Sequence, residues 1–118
     1  MARAAITVNA VGGRPNLYSG NLTKTNGNSS DNHTLANDGK TVLLVENSSG
    51  SSVTVTIVSV ADPVTGRTGD ISLAVADGQN RLFGPFPKYL FNQAADVVNV
   101  NVSAGGSSVK LTGIQLPD

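Results

Sequence analysis

The chain contains no cysteine and no tryptophan, and only one histidine and one methionine. Without cysteine there are no disulfides, no thiol nucleophile and no thiolate metal site. Without tryptophan, the usual stacking platform of a sugar-binding cleft is missing. Charge is also sparse: 14% of residues are Asp, Glu, Lys or Arg, and eight basic residues balance eight acidic ones. A net charge of zero gives no counterion-release term toward nucleic acid and no basic field toward an anionic membrane. No apolar run approaches the ~20 residues of a membrane span, and the first ten residues lack the unbroken apolar stretch of a signal peptide. The expectation is a protein made in a cytoplasm that stays soluble, with no nucleic-acid or membrane partner. The Asn-X-Ser/Thr triplets at Asn21, Asn28, Asn32, Asn47 and Asn101 are then chance products of an Asn- and Ser-rich chain.

The polar fraction is instead Asn, Ser, Thr and thirteen glycines, which suits a β-protein whose turns take Asn and Gly and whose strands take Thr and Val. At 118 residues the chain makes one domain and buries roughly two thirds of its unfolded surface, enough for a core without staples. Ala4 to Val11 alternates as a strand, with Ile6, Val8 and Ala10 on one face. Val11 to Asp38 shows almost no periodicity and reads as a loop or extended arm lying across another surface, the chain's own or a partner's. Residues 1–36 are therefore assigned to a strand and arm and residues 37–118 to the sandwich. From Asp38 on, punctuation is regular: extended pieces at Thr41 to Glu46, Val53 to Val60, Asp70 to Ala76, Arg81 to Phe86, Val97 to Ser103 and Val109 to Leu116 are separated by Asn, Gly and Ser turns. Ile71, Leu73, Val75, Val98, Val100 and Val102 are the expected core. The alternation in the last strand breaks between Leu111 and Ile114, which a bulge at Gly113 would repair. In the second strand Val58 and Val60 leave the face of Val53, Val55 and Ile57, which implies a bulge or a strand covered on both sides. A turn near Tyr89 to Ala95 is the best helical candidate. The fold class is all-β, an antiparallel β-sandwich of jelly-roll or immunoglobulin type with an extended N-terminal arm.

No catalytic constellation emerges. His33 lies near Asp31 and several serines, but no G-x-S-x-G elbow is present and the surrounding sequence is the least patterned of the chain, so it reads as a solvated loop histidine. Asn37-Asp38-Gly39 and Asp77-Gly78-Gln79-Asn80 supply oxygens without the twelve-residue calcium-loop pattern. The expectation is no enzyme, no metal and no cofactor. The aromatics are uneven: Phe83, Phe86, Tyr89 and Phe91 are four of the five, interleaved with Pro85 and Pro87. They either cap one end of the sandwich or form the core of a subunit contact.

The run Asn37-Asp38-Gly39-Lys-Thr-Val-Leu-Leu-Val-Glu-Asn47, then Val53-Thr-Val-Thr-Ile57, then Gly84-Pro85-Phe86-Pro87 ahead of Tyr89, resembles small β-sandwich structural proteins of tailed-phage virions. The likeness covers Asn37 to Leu116. It implies a bacteriophage capsid decoration protein that binds the major capsid protein on the outside of the head and stabilises the capsid. Another virion component, of the head-completion or tail type, and a non-viral carbohydrate-binding or adhesin module are the alternatives. A homotrimer is expected because head lattices present threefold positions. Phe83, Phe86, Tyr89 and Phe91 are the candidate oligomer interface. Arg14, Leu17, Tyr18 and Leu22 are the candidate capsid-contact arm, so that removing residues 2–35 is expected to leave a folded body that no longer binds heads.

Overall fold

The computed structural model describes residues 3–10, 22–61, 64–66 and 68–116. They form an all-β sandwich of two sheets. The first sheet runs β1 (Ala4–Ala5), β4 (His33–Ala36), β10 (Val97–Val102), β6 (Val53–Val58) and β7 (Ile71–Val75), with β9 (Asn92–Gln93) also pairing with β10. The second runs β2 (Val8–Ala10), β11 (Gly106–Gln115), β5 (Thr41–Asn47) and β8 (Asn80–Phe83), with β3 (Thr25–Gly27) beside β2 on the same flank of β11. A single helical turn, α1 (Lys88–Phe91), falls where a turn was expected. Among the described residues no helix is long and apolar enough to cross a membrane.

Alternation sets the core. Val53, Val55 and Ile57 on β6, Val98, Val100 and Val102 on β10, Leu43 and Val45 on β5, and Val109 and Leu111 on β11 are buried between the sheets. A Val100→Ala substitution removes two buried methyl groups and is expected to lower stability by about 1–3 kcal/mol. Chemical denaturation checks it, and an unchanged midpoint would place that face in solvent.

Four expectations need correction. The sheets are mixed rather than antiparallel throughout, because the N-terminal strand divides: β1 runs parallel to β4, and β2 parallel to β11. Residues 22–36 are not an arm. They supply β3 and β4, and β4 sits inside the first sheet with Leu35 fully buried, so removing residues 2–35 cuts into both sheets. Gly113 is not a bulge, since β11 pairs with β5 without a break from Val109 to Gln115. The chain changes sheets over it: the Gly113 amide donates to the Thr7 carbonyl at 3.1 Å, and a Cβ there would lie 2.9 Å from a Leu35 methyl and 3.0 Å from Val8. Finally, Ile71 and Leu73 are 40% and 46% exposed, and only Val75 of that strand is core.

The β7 result has a geometric cause. Ile71, Leu73 and Val75 stand opposite Ile57, Val55 and Val53, so all three share the core-facing side of the first sheet. The second sheet ends at the short edge strand β8, which leaves the margin under Ile71 and Leu73 open. Val75, at the end of the strand, is fully buried, and the Asn47 side-chain amide of β5 donates to its carbonyl at 2.8 Å.

Candidate functional site

Three places hold the residues singled out from sequence: the His33 corner, the aromatic segment and the β7 edge.

His33 lies on β4 opposite Val100 and is completely buried, which corrects its reading as a solvated loop residue. Both ring nitrogens serve the backbone. Nε2 accepts the Asn28 amide proton at 2.8 Å, and Nδ1, 3.1 Å from the Ala4 carbonyl, must then carry the proton and donate to it. Among the described residues no serine hydroxyl hydrogen-bonds the ring, and the acceptor nitrogen that a serine nucleophile would need is already taken by the Asn28 amide. Burial pushes the imidazole below its ordinary value; the Ala4 carbonyl opposes that shift and the Arg3 guanidinium adds to it. Around the ring, Asn28 organises the preceding turn. Its Oδ1 accepts from the amides of Ser30 at 3.1 Å and Asp31 at 3.0 Å, and its carbonyl accepts from the Asn32 amide at 2.9 Å. Arg3 closes the outside, donating to the His33 carbonyl at 3.3 Å and to Asn101 Oδ1 at 2.6 Å.

The aromatic segment divides. Phe83, Phe86 and Phe91 are buried in this chain's own core, with Phe86 and Phe91 edge to face at 5.6 Å. Tyr89 alone of the four is exposed, at 62%. Three members of the candidate oligomer interface are thus already covered. Two buried or half-buried amides fasten the segment: Asn37 donates to the Phe86 carbonyl at 3.0 Å and to Asn92 Oδ1 at 2.7 Å, and Asn92 donates back to the Asn37 carbonyl at 3.0 Å. From sequence Asn37 is weighed as an oxygen donor for calcium, and its role as a fastener is not legible there, since a buried asparagine and a loop asparagine are spelled alike.

The oxygens considered for calcium are engaged by the chain itself. Asn37 Oδ1 accepts from the Gly39 amide at 3.0 Å, and Asp38 takes the Lys40 amide at 2.9 Å and the Gln115 amide group at 2.6 Å. These bonds, that from Gln115 first, lower the Asp38 carboxyl below its usual value. Asp77 accepts from the Gly50 amide at 2.9 Å. Among the described residues no three His, Asp or Glu side chains converge.

Of the candidate capsid-contact residues, Arg14, Leu17 and Tyr18 lie outside the described residues. Leu22 is half-buried, next to Thr23 and Lys24, which are tied to the body: Thr23 exchanges hydrogen bonds with the Asn9 side chain at 2.9 and 3.0 Å, and Lys24 pairs with Glu46 at 2.8 Å.

The β7 edge is an apolar margin left open, with Ile71 and Leu73 both partly exposed. Among the described residues nothing pairs with its outer side. From Ile71 to Ala76 it carries no charge and no proline, the two devices by which edge strands usually discourage pairing. The flanking carboxylates turn back to their own chain, Asp70 to the Ser59 amide and hydroxyl at 2.9 and 3.2 Å, and Asp77 to Gly50.

No family model, curated protein or solved structure matches the chain.

Proposed function

We propose that this protein is a phage virion structural protein that decorates the outer surface of the head as a homo-oligomer, joined through the β7 edge of each copy to an edge of the next. The observation that carries the reading is the open, uncharged β7 margin with Ile71 and Leu73 half-exposed, taken with the Asn37 to Leu116 resemblance. A strand bare of charge, on a molecule of zero net charge, meets little electrostatic opposition from an identical copy. A closed threefold ring, the assembly suited to a head lattice, uses such a head-to-tail contact. The sugar-binding alternative fits less well, because Tyr89 is the sole exposed aromatic among the described residues and a single ring makes no platform.

Two measurements test this. Light scattering of the purified chain should give a trimer, and Leu73→Lys, which places a charge on the margin, should give a folded monomer with an unchanged circular dichroism spectrum. A monomeric wild-type chain at tens of micromolar would remove the oligomer. Separately, gold-labelled antibody against the chain should mark the heads of particles produced by cells that carry this reading frame. Label confined to tails, or to the particle-free fraction, would overturn the decoration role.

A further inference from the structure

We infer that His33 and Asp31 form an acid-operated switch in which a protonated His33 exchanges its bond from the Asn28 amide for one to the Asp31 carboxylate, opening the Asn28–Asn32 turn while the sandwich stays folded.

The inference rests on a bonding pattern that only a neutral ring satisfies. His33 Nε2 accepts a backbone N–H at 2.8 Å while Nδ1–H donates to Ala4. A second proton, placed on Nε2, would point at the Asn28 N–H, donor against donor. The Nδ1 bond to Ala4 survives and strengthens with the positive charge, so the strain falls on the turn and not on β1. An alternative acceptor is waiting two residues away. Among the described residues Asp31 Oδ1 is buried without a hydrogen-bond partner, and Oδ2 receives a long 3.5 Å contact from the Asn28 side chain. A buried carboxylate oxygen left without a donor is costly, and the protonated imidazole is a donor of the matching charge.

The other charges around the ring are few. β1 presents Arg3, which disfavours a second positive charge. The turn carries Asp31, whose Oδ2 lies 3.5 Å from the side-chain amide of Asn28, the residue whose backbone amide the ring holds. Neither β10 nor the Ser103–Gly105 loop carries a charged side chain, and Lys110 of β11 is directed to Asn26. The direction of the pH effect follows from the ring's lowered value. The folded state holds fewer protons than an unfolded chain whose histidine has the ordinary value of 6.5, so the stability from neutral His33 is fully present above about pH 6.5 and is lost as pH falls below it. Opening the turn at its Asn28 end relieves that penalty, while Asn32 at the other end keeps the bonds it accepts from the Ala4 amide at 2.9 Å and the Val102 amide at 3.0 Å, so β1 and β10 stay anchored. The Asp38 contribution, present above about pH 4 and lost as pH falls through its lowered value, belongs to a separate and more acidic window.

The chain has one histidine, so its ring signals are unambiguous in a nuclear magnetic resonance titration from pH 8 to pH 4. The ring should titrate below the ordinary histidine range, the Asn28 amide should lose hydrogen-exchange protection at least tenfold over the same interval, and the Val45 and Val100 amides should keep theirs. In Asp31→Asn the ring midpoint should fall by at least half a pH unit further, because the acid-state partner has been removed. Loss of protection at Asn28, Val45 and Val100 in a single step would mean global unfolding and would overturn the switch. An unchanged midpoint in Asp31→Asn would overturn the exchange of partners.

Discussion

Truncating Phe86 to alanine is expected to cost about 3–5 kcal/mol of folding stability, the range for deleting a large buried aromatic ring, whereas Tyr89→Ala should stay within about 0.5 kcal/mol, as exposed substitutions do. The two rings are three residues apart in one Pro-flanked segment, so their difference isolates packing from local chain chemistry. Phe86 is 1% exposed and meets Phe91 edge to face. Its neighbour Gly84 has φ +101°, and a Cβ there would sit 3.0 Å from the Phe86 ring. The surroundings cannot collapse easily into the space the ring leaves, because the Phe86 carbonyl is held by Asn37, itself tied to Asn92. The cavity term is therefore retained in addition to the lost transfer energy. Urea denaturation of both variants, compared at equal slope, decides it. A Phe86→Ala midpoint near wild type, or a Tyr89→Ala loss as large as that of Phe86, would show that the segment is not divided between core and surface in this way.

That division marks where the sequence is readable and where it is not. Periodicity found β6 and β10, because their alternating apolar residues face a core that covers the whole strand, and β5 was legible as a mostly apolar run between turn signals. The same rule placed Ile71, Leu73 and Val75 on one face correctly, yet face and burial are different things: the margin beyond β8 has no sheet opposite it, and nothing in five residues announces that. β4 escaped for the opposite reason. His33-Thr34-Leu35-Ala36 alternates inward and outward, but its first inward residue is a histidine whose acceptable burial depends on two backbone partners, Ala4 and Asn28, brought from elsewhere in the chain. Asn37 and Asn47 are similar cases. Asn47, buried at the end of β5, donates to the Ser51 and Val75 carbonyls at 2.7 and 2.8 Å, and from composition it is only a turn residue. Gly113 was legible as a special position but not for its reason, since the crossing of Thr7 and Val8 above it is a tertiary event. The surface proposed for assembly, β7 rather than the aromatic segment, became visible only once burial had removed three phenylalanines from consideration.

Gly105→Val is expected to destabilise the fold by about 3 kcal/mol or more, at the upper end of what overpacking costs. Gly69→Ala, in open space, should be neutral or stabilising by up to about 1 kcal/mol through reduced freedom of the unfolded chain. Neither glycine has the positive φ that would strain a side chain by itself, so the contrast is one of space alone. A Cβ on Gly105 would overlap the Gly27 carbonyl oxygen, lie 2.7 Å from its carbon and 3.0 Å from the Asn28 nitrogen. All three are backbone atoms, which cannot swing aside as a side chain does. Gly27 is also confined, though less so, its own Cβ position being 3.1 Å from the Gly105 Cα and from a Val109 methyl. β3 and the chain leading into β11 meet there through this pair of glycines, and a side chain on Gly105 would strike backbone. Relief requires moving Gly27 and Asn28 outward, and Asn28 carries the amide that His33 Nε2 accepts. Loss of stability in Gly105→Val should therefore come with a second signature. The ring, less enclosed and free of its donor, should titrate closer to the ordinary histidine value than in the wild-type chain. A variant that loses the expected stability while His33 titrates as before would show that Gly105 supports the sheet junction without supporting the His33 corner.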